Sequence, residues 1–128
     1  GAVGASAVTL CTPYRDDIND IEAQYFAANG YPVVSASGLG LEMDRDIARL
    51  APEDAEAQVA RTDIREANCI FISCTDYHVL DAIDRIEARQ GKPVVTSNQA
   101  ATWMALRMMG IDDAVTGAGQ LLTLPLPR

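Results

Sequence analysis

Short, nearly unbroken apolar runs recur along the chain, and each is followed by a stretch in which apolar residues return at helical spacing. Ser6 to Thr12 (SAVTLCT) is the first run; Pro13 closes it, and its composition is that of a buried strand. Asp16 and Asp17 then open a helix carrying Ile18, Ile21 and Tyr25 at helical spacing, ended by Asn29-Gly30. Tyr31 to Ala36 (YPVVSA) predicts a second strand, and Ser37 to Asp44 (SGLGLEMD) a glycine-containing loop. A short helical segment over Asp46 to Leu50 precedes Pro52, which suits the first turn of a helix running to about Arg61, with Glu53 and Asp54 favouring its N-terminus. Asn68 to Ser73 (NCIFIS) is almost wholly apolar, as a strand covered on both faces must be. Directly after Cys74-Thr75-Asp76 the next helix places Val79, Leu80, Ile83 and Ile86 on one face and ends before Gly91. Pro93 to Thr96 (PVVT) is the fourth strand, and Ser97-Asn98 caps a last helix through Trp103, Leu106 and Met109 that Gly110 stops.

Four strand–helix units in series predict an α/β fold: a four-stranded parallel sheet with helices on both faces, flavodoxin-like or Rossmann-like, joined by right-handed crossovers. With 128 residues, 48% of them hydrophobic, residues 1–128 form one domain with one core. Residues 111–128 read as a tail. Its segment Leu121 to Pro127 (LLTLPLP) is apolar yet broken by proline, so it is expected to lie against a partner surface. The chain opens on small residues without an initiator Met and enters a strand pattern at once, the look of a fragment or a processed chain.

The formal net charge of -8 excludes nucleic acid as the expected partner, because phosphate binding draws on clustered Lys and Arg. A small anionic substrate stays open, since backbone N–H groups at helix N-termini hold carboxylates against an unfavourable field. Three cysteines without a CxxC pair do not make a disulfide framework, and one His leaves no zinc-ligand set. No apolar run approaches the ~20 residues of a membrane span. A cytoplasmic chain with reduced thiols is the expectation. The pairs Gly38-Leu-Gly40 and Gly117-Ala-Gly119 fall short of a dinucleotide fingerprint.

In an open parallel sheet ligands bind beyond the carboxyl ends of the strands. The residues there are Thr12-Pro13-Tyr14, Ser37 to Asp44, Cys74-Thr75-Asp76 and Ser97-Asn98. Cys74 has two readings: a nucleophile or proton carrier at the N-terminus of the following helix, or a small semi-buried core residue. Cys11 and Cys69 lie inside apolar strands and read as core. Tyr14 either donates its phenol O–H to a carboxylate or caps a turn with its ring. Asn98 either binds substrate or caps the last helix. Asp44 would repel a carboxylate when ionised, and His78 reads as a solvated surface residue rather than a base.

The stretches Val8 to Tyr14 (VTLCTPY), Asp44 to Pro52 (DRDIARLAP), Ile70 to Ala82 (IFISCTDYHVLDA) and Gly91 to Trp103 (GKPVVTSNQAATW) together resemble the maleate cis-trans isomerases and arylmalonate decarboxylases of the aspartate/glutamate racemase superfamily. The resemblance implies half of a two-domain racemase-type fold, the C-terminal half, with each domain offering one strand-end cysteine to a shared cleft and no metal or organic cofactor required. It implies that Cys74 moves a proton at the carbon next to a carboxylate and that Tyr14 binds a substrate carboxylate. Thr12, Thr75, Asn98 and Asp44 are the further substrate-binding candidates. Two positions depart from the isomerase pattern: Asp44 stands where Asn is common, and Asp76-Tyr77-His78 where Asn followed by Leu and Arg is more usual.

The expected function is thus a cofactor-independent, cysteine-based isomerase of a small dicarboxylate such as maleate. Its partner would be a second α/β domain or a second copy of the chain. The alternatives are an arylmalonate-type decarboxylase, an Asp/Glu racemase-like enzyme, and an inactive binding or assembly module. A thiol redox protein is disfavoured, because no resolving cysteine lies near Cys74 in sequence.

Overall fold

In the computed structural model, which describes residues 1–127, the four apolar runs become four parallel strands, β1 (Val8–Cys11), β2 (Val33–Ser37), β3 (Cys69–Ile72) and β4 (Val94–Thr96), in the spatial order β2-β1-β3-β4. The chain steps outward from β1 to β2 and then crosses back over β1 to reach β3. The order reverses between β1 and β3, so the connections leaving these two strands turn to opposite faces and open a crevice at the carboxyl edge.

Cys11, Ile70, Ile72 and Val94 turn to one face, where they pack with Ala55 and Val59 of α3 (Pro52–Thr62) and Ile83 and Ile86 of α4 (Ile83–Gln90). On the opposite face Phe71 meets Phe26 of α1 (Asp16–Ala28) with ring centroids 4.8 Å apart. Val95, its neighbour in register, packs on Trp103 of α5 (Ser97–Met108). Helices therefore cover both faces of a parallel sheet. Between β2 and α3 lies a single short turn, α2 (Asp44–Ile47), which begins two residues earlier than the sequence suggests.

Three features differ from the sequence expectation, each for a physical reason. The apolar stripe of α1 points to water, with Ile18, Ile21 and Tyr25 respectively 44%, 65% and 67% exposed, while the helix is held to the sheet by Phe26 and the buried Asn19. Helical structure after β3 starts late. A turn at Thr75–Asp76 and a bend at Tyr77 come first, then a 3₁₀ turn at Leu80–Ala82 leads into α4, and Leu80 is left exposed although Val79, Ile83 and Ile86 are buried. The cap of α5 is Thr96 rather than Ser97-Asn98: its hydroxyl accepts the Gln99 N–H at 3.1 Å and its own N–H donates to the Gln99 side chain at 2.8 Å. This reciprocal pair satisfies two donors at once and displaces the single bond a later cap would make.

In the tail, Leu121 and Leu122 are buried against Trp103 of the same chain. Arg107, 3% exposed, donates from α5 to the carbonyls of Ile111, Leu122 and Leu124 at 2.6, 2.9 and 2.9 Å. Pro125, Leu126 and Pro127 stay exposed. Among the described residues no helix is long and apolar enough to cross a membrane.

Candidate functional site

The crevice between β1 and β3 is built from two strand exits. At the first, Thr12 is fully buried; its hydroxyl bonds Asn19 of α1 and accepts the Tyr14 N–H at 3.1 Å. This local bond bends the chain after Pro13 and turns Tyr14 up to the rim. The loop after β2 braces the same turn, with Gly40 N–H donating to Tyr14 O at 3.0 Å and Leu41 N–H to Pro13 O at 2.9 Å. Gly38 is what lets that loop approach: a Cβ there would sit 2.1 Å from Tyr14 O.

At the second exit, β3 ends at Ile72, Ser73 is nearly buried and Cys74 is partly exposed. Cys74 adopts φ +93°, the only described non-glycine residue with positive φ. A side chain in that region costs roughly 1–3 kcal/mol, and such strain persists where the surroundings hold it. Here the holders are visible. The Cys74 N–H donates to Ser97 Oγ at 3.2 Å, and Asn98 Nδ2 donates to Thr75 O at 3.0 Å. Both partners are free for this because Thr96 does the capping of α5. The helix start nearest the cysteine in bonding terms is therefore that of α5, not of the helix that follows Cys74 in sequence.

Gln58 of α3 ties the two exits together. Fully buried, it donates to Thr12 O at 2.9 Å and accepts from the buried Tyr77 hydroxyl at 3.2 Å. Tyr77 N–H in turn reaches Cys74 O at 3.4 Å.

Across the crevice the Tyr14 phenol lies close enough to Cys74 for the two to interact electrostatically. Burial first, then Cys74 and the charge of Glu22, push the phenol far above its ordinary range, so it remains a proton donor. Glu22 is half-buried on α1; burial raises its carboxyl above the usual range while Ser73 pulls the other way. Burial pushes the Cys11 thiol up to about 12 and Cys69 to about 11, leaving both inert in their strands.

The structure thus brings Tyr14 and Cys74 together, with Thr75 and Asn98 beside them. Thr12, expected to bind substrate, has no exposed surface and shapes the turn beneath Tyr14 instead. Asp44 opens α2, after the loop that follows β2, and is exposed. Among the described residues no hydrogen bond or ion pair links its side chain to Tyr14 or Cys74. His78 is exposed on the turn after Cys74. Gln58, Ser73 and Glu22 were not singled out from sequence; Ser97 was read as a cap of α5, and Gly38 as part of a glycine pair in a strand-end loop.

A cavity of about 590 Å³ lies along the far side of the Cys74 turn, lined by His78, Val79, Leu80, Asn98, Thr102 and Leu122 among others. A smaller one of about 230 Å³ runs beside Tyr14, walled by Arg15, Ile18, Leu41 and Glu42. Arg15 there is engaged by Glu42 at 2.8 Å and Asp17 at 3.1 Å. Among the described residues no three His, Cys, Asp or Glu side chains group to hold a metal ion.

Known proteins share this fold. A maleate isomerase of Pseudomonas putida is 28% identical over 120 residues, which are 93% of this chain and 48% of that protein. An arylmalonate decarboxylase of Bordetella bronchiseptica is 35% identical over 114 residues, 85% of this chain and 46% of that protein. The structure of a maleate isomerase from Pseudomonas putida S16, solved with maleate, superposes with a TM-score of 0.91 at 26% identity, covering 95% of this chain and 49% of that one. An arylmalonate decarboxylase structure superposes at 0.86 and 31% identity, covering 94% of this chain and 54% of that one. The chain spans about half the length of the curated relatives it matches. The profile of the arylmalonate decarboxylase family matches residues 1–122, from before β1 to the 3₁₀ turn of the tail, and the chain belongs to that family.

Proposed function

We propose that this chain is one lobe of a cofactor-independent, cysteine-based isomerase that converts a small cis-dicarboxylate such as maleate to its trans isomer. The observation that carries the reading is the strained Cys74 held at the carboxyl edge of β3, facing a phenol that keeps its proton. Tyr14 O–H donates to a substrate carboxylate, a use that its raised pKa favours. A cysteine of a second α/β lobe, or of a second copy, adds through sulfur to one alkene carbon, and Cys74 delivers its proton to the other. The former double bond is then single and rotates. Cys74 thiolate takes the proton back, the C–S bond breaks, and the trans alkene leaves with atoms and electrons balanced. Thr75 and Asn98 position the Cys74 turn, and the reaction runs in the cytoplasm.

A second reading has its own support in the 35% identity to an arylmalonate decarboxylase. Decarboxylation of a substituted malonate needs only one cysteine, which protonates the carbanion left after carbon dioxide departs, and Cys74 supplies it. Proton NMR of maleate incubated with the complete enzyme, alongside measurement of carbon dioxide released from an arylmalonate, separates the two. Cys74→Ala abolishes turnover of the true substrate and leaves the fold intact; a variant with full activity refutes the assignment.

A further inference from the structure

Three of the four strand exits meet on one buried side chain. Gln58 lies inside α3 with no exposed surface. Its side-chain N–H groups donate to Thr12 O at 2.9 Å, just past β1, and to Ser37 O and Oγ at 3.2 and 3.1 Å, at the end of β2. Its side-chain oxygen accepts the Tyr77 hydroxyl at 3.2 Å. Tyr77, 2% exposed, returns through its own N–H to Cys74 O at 3.4 Å, past β3. Thr12 O and Ser37 O can only accept, so the amide nitrogen must face them and the amide oxygen must face Tyr77. That fixes the Tyr77 O–H as a donor. Among the described residues no buried side-chain nitrogen or oxygen lacks a partner, and taking one member from a fully satisfied buried network disturbs the others.

The Cys74 turn is held from two sides. Ser97 and Asn98 tie it to α5, and Tyr77 ties it to α3 through Gln58. Only the second tie also carries Thr12, whose hydroxyl accepts the Tyr14 N–H at 3.1 Å. The amide itself is steadied by the core, since Ala55 and Val59 of α3 pack with Cys11 and Ile70 of β1 and β3. We propose that Gln58 and Tyr77 are positioning residues that couple the Cys74 turn to the Tyr14 turn, so that thiol and phenol keep one separation across the crevice. The inference rests on the reading of Cys74 as proton carrier and Tyr14 as carboxylate donor. Loss of the Tyr77 hydroxyl strands the Gln58 oxygen in the core; the amide turns to find a partner, which weakens its bonds at Thr12 and Ser37.

The test alters one end and reads the other. In the chain without substrate, ¹H–¹⁵N spectra follow the Tyr14 and Cys74 amides. Tyr77→Phe keeps the ring and removes one oxygen; it shifts both amides, although Tyr77 makes no hydrogen bond to the β1 exit. In a Gln58→Met background the same substitution no longer moves Tyr14. A Tyr14 amide that ignores Tyr77→Phe overturns the coupling, and so does one that moves equally in the Gln58→Met background, which reports a through-space effect. The first comparison decides by itself should Gln58→Met fail to fold. In the complete enzyme Tyr77→Phe lowers kcat roughly 10- to 100-fold with a smaller change in KM, whereas a merely stabilising contact lowers Tm and leaves kcat alone below the melting range. An unchanged kcat, in an enzyme that Cys74→Ala inactivates, refutes the positioning role. The amide readout needs no turnover, so failure of the coupling and failure of the isomerase reading are separate results.

Discussion

The positive φ of Cys74 makes a stability prediction that is independent of any substrate. Replacing Cys74 by Ala removes the sulfur but keeps a Cβ at φ +93°, so the strain stays. Replacing it by Gly removes both. Relief of the strain is worth roughly 1–3 kcal/mol, and the greater freedom of glycine in the unfolded chain gives back about 0.5–1 kcal/mol. Cys74→Gly is therefore more stable than Cys74→Ala by an amount between zero and about 2.5 kcal/mol. For a domain of this size that is an upward difference in Tm of up to roughly 10 °C between the two variants. Thermal unfolding followed by far-ultraviolet circular dichroism, with both variants at one concentration and pH, reads it directly. Both variants lack the thiol, so loss of chemistry is common to them and the comparison isolates the backbone. If Cys74→Gly melts at or below Cys74→Ala, the strain argument is wrong.

Gly38→Ala places a methyl group 2.1 Å from Tyr14 O, so it displaces the Tyr14 turn; we expect about 1–3 kcal/mol of destabilisation by thermal unfolding, together with a loss of substrate affinity. Iodoacetamide at mildly alkaline pH labels Cys74 alone in the folded chain and all three cysteines in urea, counted by intact mass, because Cys11 and Cys69 are buried and Cys74 is not. The burial that holds Cys11 at about 12 against roughly 8.5 for an unfolded thiol favours the folded state fully below the unfolded value and is lost as pH rises toward the folded one. The urea midpoint thus falls on going from pH ~8.5 upward, and Cys11→Ala falls less steeply over the same range; parallel curves would contradict the burial argument.

Much of this protein is legible from its sequence, because the two periodicities that specify strands and helices are local properties of the chain. The apolar runs around Leu10 and Ile70, broken by Pro13 and by the polar Cys74-Thr75-Asp76, mark strands and their ends without any partner in view. The strand–helix alternation then leaves few topologies open, and it follows that Tyr14 and Cys74 sit at one edge of one sheet. The site's supports were not legible, for they depend on which of several equivalent local bonds the fold selects. Ser97, Asn98 and Thr96 could each cap α5, and only the packed position of Gln99 gives that task to Thr96 and releases the other two to hold the Cys74 turn. Thr12 looks like a rim residue by register, yet the arrival of Asn19 and Gln58 from two different helices closes it off. The positive φ at Cys74, the half-burial of Glu22, and the outward stripe of α1 arise from contacts between segments tens of residues apart. Such contacts have no period and no motif, so the tertiary structure alone decides them.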